Sequence, residues 1–186
     1  MRLFTQNKKN GFTLVETLVA ISILSLSILS TFTAVQNSLQ SSSLSKDQVT
    51  AFYLVQEAVE YMRNVRDTNA IQAIGTPGYN WLTRIVVMPD QTSSGPCDFG
   101  KRCTLDVAAD NLATCTRNGS SCPVLRQDTI SNLYGYNSAW IQSRFTRQIS
   151  LRQISPDEVV IQVTISWVTG KYPKTFTVEQ TLFNWR

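Results

Sequence analysis

The 186-residue chain carries 17 Lys and Arg, 13 Asp and Glu, and no His. At about 100–200 residues per domain, this length predicts one globular domain or one domain with an extension. The lack of His excludes imidazole bases, His-ligated metals and His-containing triads. A hydrophobic fraction of 42% excludes a disordered chain.

The net charge of +4 is unevenly placed. Arg2, Lys8 and Lys9 lie in the first ten residues, which hold no acid, leaving 14 basic against 13 acidic residues from Phe12 onward. The body is therefore near neutral and lacks the electrostatic footprint of a nucleic-acid binder. The basic cluster reads as a positive-inside orientation signal for the apolar run that follows it. That run, Phe12 to Val35, has 24 residues, one charge (Glu16) and no Gly or Pro. As a helix it would span roughly 36 Å, enough for a ~30 Å hydrocarbon core. It is too long for a signal-peptide core of about 7–15 residues, and no A-x-A site follows. Its Ser and Thr hydroxyls make it a mediocre membrane helix. They could bond neighbouring helices or their own i−4 carbonyls.

A Ser-rich stretch, Gln36 to Gln48, comes next. Ala51, Leu54, Val55, Ala58, Met62 and Val65 then fall on one helical stripe, with polar residues such as Glu60 and Arg63 opposite. The spacing predicts one helix from Phe12 to about Asp67, loosened near Ser38–Ser45, where a cluster of Ser lowers the propensity. Such a rod is roughly 80 Å long. The remaining residues form a body only about 35 Å across, so the amphipathic half packs and the apolar half protrudes.

Between Asp67 and Arg144 the signal is weak. Arg84–Met88 reads as a short strand. Thr92–Cys122 reads as a long loop held by disulfides. The four cysteines, Cys97, Cys103, Cys115 and Cys122, match no zinc spacing. Beyond a span oriented basic-end-in, they lie where disulfides persist. Three connectivities exist, of which the two local bridges, Cys97–Cys103 and Cys115–Cys122, are preferred. The C-terminal part alternates strictly: Val159, Ile161, Val163, Ile165 and Trp167 share one face. With Phe145–Ile154 and Lys174–Trp185 it predicts an antiparallel meander whose apolar face needs the helix stripe as partner.

The string Lys8-Lys9-Asn10-Gly11-Phe12-Thr13-Leu14-Val15-Glu16-Thr17-Leu18 resembles the class III signal of type IV pilins and pseudopilins. In that family a basic leader ends in Gly, the mature chain begins with Phe, and a Glu follows four residues later within an apolar helix. The resemblance implies an α+β, pilin-like fold: a long N-terminal helix on a C-terminal antiparallel sheet, with a disulfide-containing loop region. It implies five segments: leader 1–11, transmembrane and filament-core helix 12–35, amphipathic continuation 36–67, loop-rich region 68–144 and β-meander 145–186. It further implies cleavage between Gly11 and Phe12 by a prepilin peptidase, N-methylation of Phe12, and a register contact between Glu16 and the Phe12 amine of a neighbouring subunit. The partners implied are other pilin subunits, the peptidase, an assembly platform and its ATPase. The precursor would be a single-pass membrane protein with a cytoplasmic N-terminus, and the assembled filament periplasmic or extracellular.

Glu16 is notable without the resemblance. A carboxylate within a membrane segment costs about 2.5–3.5 kcal/mol even on lenient scales and by default marks function. The plainer account is an N-terminal acid favoured by the helix dipole. Elsewhere no acid/base pair is identifiable, and no enzyme, cofactor or metal is expected. Asp90, Asp98, Asp106 and Asp110 are the loop acids closest to a calcium set, though most such acids are merely solvated. Tyr79 with Trp81, and Tyr134 with Tyr136, are candidate exposed contact patches. Major pilins often carry Pro or Gly within the apolar helix. None occurs here, which leaves a pilin, a minor pilin and a type II secretion pseudopilin open. An uncleaved, single-span anchored binding ectodomain is the alternative from another class.

Overall fold

The computed structural model describes residues 11–76, 78–90, 92–115 and 121–184. Arg2, Lys8, Lys9, Pro77 and Trp185 lie outside them. The chain divides into two compact units, 1–45 and 46–186.

One helix, α1 (Leu14–Ala73), supplies all of the described N-terminal unit beyond residues 11–13 and continues into the second unit. It begins two residues later and ends six residues later than the sequence pattern suggests. Thr13 caps its start. Its end comes near Gly75, at φ 84°, because no breaker stands before it. The Ser-rich stretch is regular helix, not loosened. Ser45 Oγ donates to the Ser41 carbonyl at 3.0 Å, so the side chain supports the turn it was expected to weaken.

In the second unit seven strands follow: β1 (Arg102–Asp106), β2 (Asn111–Thr114), β3 (Val124–Gln127), β4 (Tyr134–Gly135), β5 (Ile141–Ser155), β6 (Glu158–Thr169) and β7 (Tyr172–Phe183). All pairings are antiparallel. The 15-residue β5 organises the sheet. Along one edge it pairs with β6, which pairs in turn with β7. Along the other it pairs first with β3 and then with β1. The expected meander is thus β5–β6–β7, in register Ile149↔Val163↔Val178.

Inward positions of β5 and β6 (Phe145, Ile149, Leu151, Val159 to Trp167) are buried against the α1 stripe Ala51, Leu54, Val55, Ala58, Met62 and Val65. Each fully buried aliphatic side chain contributes roughly 1.5–3 kcal/mol. The anchors at the edges are polar. Arg63 donates to Gln180 of β7 at 2.8 Å. Asn69, buried on the helix, donates to the carbonyls of Trp81 and Thr83.

Two expectations for the middle region fail. Thr92–Cys122 is not one loop, because it contains β1 and β2. Arg84–Met88 is not a strand: it turns back on itself, with Arg84 at φ 72° and isolated bridges from Val87 to Thr83 and Ser94. The disulfides join Cys97 to Cys103 and Cys115 to Cys122. They flank the β1–β2 hairpin, where Cys115 N–H donates to the Arg102 carbonyl at 2.8 Å.

Candidate processing and assembly site

Gly11, Phe12 and Thr13 precede the helix in non-helical backbone, and all three are exposed. Nothing lies within 4 Å of a Cβ built on Gly11, and its φ is not in the left-handed region. Neither packing nor backbone conformation therefore calls for glycine here. A demand for glycine at this position must come from something that handles the chain.

Thr13 is the N-cap. Its carbonyl accepts the Thr17 N–H at 3.2 Å, and its Oγ1 accepts the Glu16 N–H at 3.3 Å. Thr13 and Glu16 thus stand in the T-x-x-E order of a capping box, with the acid in the first turn near the positive end of the helix dipole. The sequence pattern carried this signal, but Thr13 was not singled out. Among the described residues no hydrogen bond or ion pair holds the Glu16 carboxylate.

Beyond it the helix is apolar on every side. All residues from 11 to 43 are exposed, and an 18-residue window of α1 has mean hydropathy 2.2 with none of it buried. Among the described residues α1 is long and apolar enough to cross a membrane, by length and composition. The hydroxyls do not spoil this. Thr17, Ser22, Ser25, Ser27, Ser30, Thr31 and Thr33 each donate to a carbonyl three or four residues back in their own helix, at 2.7–2.9 Å for the shortest bond of each. A hydroxyl satisfied in this way enters an apolar environment at little cost.

Residues 6–32 match the prokaryotic N-terminal methylation motif. This is the signal of type IV pilins and pseudopilins, and it marks the chain as a pilin-like or pseudopilin precursor. The motif spans Gly11, Phe12 and Glu16 and ends within the exposed apolar helix. It covers 27 of the 186 residues, so the sheet unit lies outside it. No curated protein and no solved structure matches the chain.

Outside the motif, polar groups are committed to holding the sheet unit together. Arg147 of β5 is fully buried. It donates to Glu57 Oε2 at 2.6 Å and to the carbonyls of Leu54 and Leu105, while its Nε has no partner. Tyr61 donates to Asp110 Oδ1 at 2.8 Å, and Arg84 reaches Asp110 Oδ2 at 2.9 Å. Burial and the Asp110 hydrogen bond push the Tyr61 phenol up to about 12. The hydrogen bonds from Tyr61 and Arg84 hold Asp110 below the usual carboxylate range.

The four loop aspartates do not converge. Asp90 caps its own turn at Thr92, Asp98 bonds Ser94 and Lys101, and Asp106 accepts the N–H groups of Ala109 and Tyr136. Among the described residues no three His, Cys, Asp or Glu side chains are grouped to hold a metal. The expected aromatic patches are absent as well. Trp81 is buried with its Nε1 on the Pro156 carbonyl, and Tyr79 is tied to Asn69 and Gln72. Tyr134 stacks edge-on with Phe145, and burial raises the Tyr136 phenol above its ordinary pKa.

Proposed function

We propose that the chain is a structural subunit, a pilin or minor pilin, of a type IV pilus or related filament. The carrying observation is the run of consecutive exposed residues 11–43, which takes in the methylation motif from Gly11 to its end at residue 32 and holds a single acid, Glu16. In the precursor this segment has a bilayer to cover it. Once extracted it cannot face water and is covered by the equivalent segments of other subunits. A heterologous contact whose rotation does not close produces an open filament.

In this reading residues 1–11 are a leader and 12–35 the span that becomes the filament core. The exposed, uncrowded Gly11–Phe12 peptide supports cleavage by a prepilin peptidase, which frees the Phe12 amine for methylation. That amine, on a neighbouring copy, then pairs with Glu16. The attraction offsets the desolvation of both charges and sets axial register. A platform protein and ATPase supply the work of extraction.

A second reading, a type II secretion pseudopilin, is favoured by the unbroken helix Leu14–Ala73, which carries no Gly or Pro between Phe12 and Ile74. Mass spectrometry of the surface-sheared fraction tests both. A chain beginning at Phe12, one methyl group heavier and abundant in that fraction, is the pilus outcome. The same processed chain confined to cells, with secretion lost on deletion, is the pseudopilin outcome. A chain still beginning at Met1 in the cell overturns both and leaves an anchored ectodomain.

A further inference from the structure

We propose that the end of the second unit where its chain begins, at Lys46, is a docking surface for an anionic bilayer. This rests on residues 12–35 being the precursor's span.

Three segments meet at that end. Asp47 Oδ2 accepts Arg144 Nη1 of β5 at 3.0 Å and Thr169 Oγ1 of β6 at 3.2 Å. Beyond Thr169 the β6–β7 turn carries Lys171, and the start of β7 carries Tyr172 and Lys174, all exposed. The β3–β4 loop, residues 128–133, joins them. Gln127 pairs with Ile141 at the start of β5, and Lys46, Tyr53, Leu133 and Tyr134 line one groove.

Lys46, Lys171 and Lys174 outnumber the Asp128 carboxylate at this end and leave it net basic, since Arg144 and Asp47 pair with each other. Farther along the groove Glu57 and Glu60 pair with Arg147 and Arg63. The opposite turn carries Asp157 and Glu158 instead.

The apolar complement is built, not incidental. Asp128 accepts the N–H groups of Ile130 and Ser131 at 3.2 Å each and donates its own N–H to the Leu133 carbonyl at 2.9 Å. Asn132 closes the loop at φ 60°. This fixed loop holds Ile130 at 90% exposure, beside Leu133 and Ile141, while Tyr172 at the start of β7 is 73% exposed. A soluble face has no use for an isoleucine clamped into water. Aliphatic knobs, an aromatic ring and lysines together suit the headgroup layer, where each part finds its own depth. Residues 36–45 span about 15 Å as helix and at most about 35 Å extended, so this end is tethered within that distance of the span.

The test uses the full chain in nanodiscs, with lysine acetylation read by mass spectrometry. In anionic discs Lys171 and Lys174 should react at least about three-fold more slowly than in zwitterionic discs, with Lys101 unchanged. About 0.5 M salt should abolish the difference. Ile130→Asp, at a solvent-facing position, should weaken it. Equal reactivity in both lipids, with the chain in the disc, overturns the proposal alone. Protection that persists in detergent and grows with protein concentration also overturns it, because another copy then covers this face. Failure to co-purify with discs overturns the span reading and this proposal together.

Discussion

The two stretches of α1 use the same backbone under opposite demands. From Ala51 to Asn69 a stripe of the helix is buried against the sheet, and Glu57, Tyr61, Arg63 and Asn69 reach partners on β5, β7 or the loops. From Leu14 to Ser43 every residue is exposed, and the hydroxyls between Thr17 and Thr33 turn inward onto the helix's own carbonyls. The first stretch is specified by what it packs on within this chain. The second is specified for an environment the single chain does not contain. Self-satisfied hydroxyls allow that segment to exchange lipid for protein without gaining or losing a hydrogen bond.

Glu16 is the exception in the second stretch, so its removal should have the largest effect. Glu16→Ala keeps the Thr13 cap, which uses only the Glu16 backbone N–H. The variant should insert and be cleaved normally. Incorporation, measured as the sheared fraction over total cell chain, should fall at least about tenfold, because the charge that offsets a buried amine is gone. Normal incorporation would mean that the acid serves only the helix terminus.

Arg147 makes the same point inside the sheet unit, where a charge is buried with its partners already in place. Arg147→Ala leaves Glu57 unpaired and opens a cavity between α1 and β5. We expect a loss of about 3–5 kcal/mol in urea unfolding of the detergent-solubilised chain. Glu57→Gln should cost less, since the amide oxygen can still accept from Arg147 and no cavity is opened, although the buried guanidinium loses its counter-charge. If Glu57→Gln costs nothing, the ion pair is not what holds the helix on the sheet.

The sequence made some of this legible. The α1 stripe and the β6 alternation are long periodic signals, and both survive because the residues facing one way have a single layer to meet. Arg147 interrupts the apolar alternation at an inward position between Phe145 and Ile149, where a charge demands a partner that the sequence does not name. The strands β1 and β2 were hidden for a different reason. Five and four residues with mixed burial carry no usable period, and β1 joins the sheet only through β5 partners such as Arg102↔Ser150, far along the chain. Of the N-terminal site, Gly11, Phe12 and Glu16 were readable as a motif. Thr13 is masked as a cap because it stands at the edge of an apolar run, where its hydroxyl looks like one more of the segment's many.

Close packing at the loop side gives a smaller effect. A Cβ on Gly135 of β4 would stand 2.7 Å from Asp106 Oδ1 and 2.9 Å from Trp140 Cζ3. Asp106 is not free to retreat, because it also holds the Tyr136 and Ala109 N–H groups. Gly135→Ala should cost about 1–3 kcal/mol. The same change at Gly11, which meets nothing, should leave unfolding untouched. Equal midpoints for the two variants would show that the β4 contact is slack.

The smallest effect is expected where solvent competes most, at Tyr61, Asp110 and Arg84. The Tyr61 phenol is raised, so its contribution is present below its ordinary pKa near 10 and is lost as pH climbs through about 12. Asp110 is lowered, so its contribution is present above the ordinary carboxylate range and is lost as pH falls through the depressed value. Between those limits the network is constant. Its worth is under about 1 kcal/mol, because water screens this exposed side of the helix. Absorbance titration should therefore show a tyrosine step near pH 12, and Tyr61→Phe should delete that step while barely moving the urea midpoint at pH 7. If that step persists in Tyr61→Phe, the α1–hairpin contact is not closed in solution. The sheet unit would then hold its helix through Arg147 and the apolar stripe without help from this side.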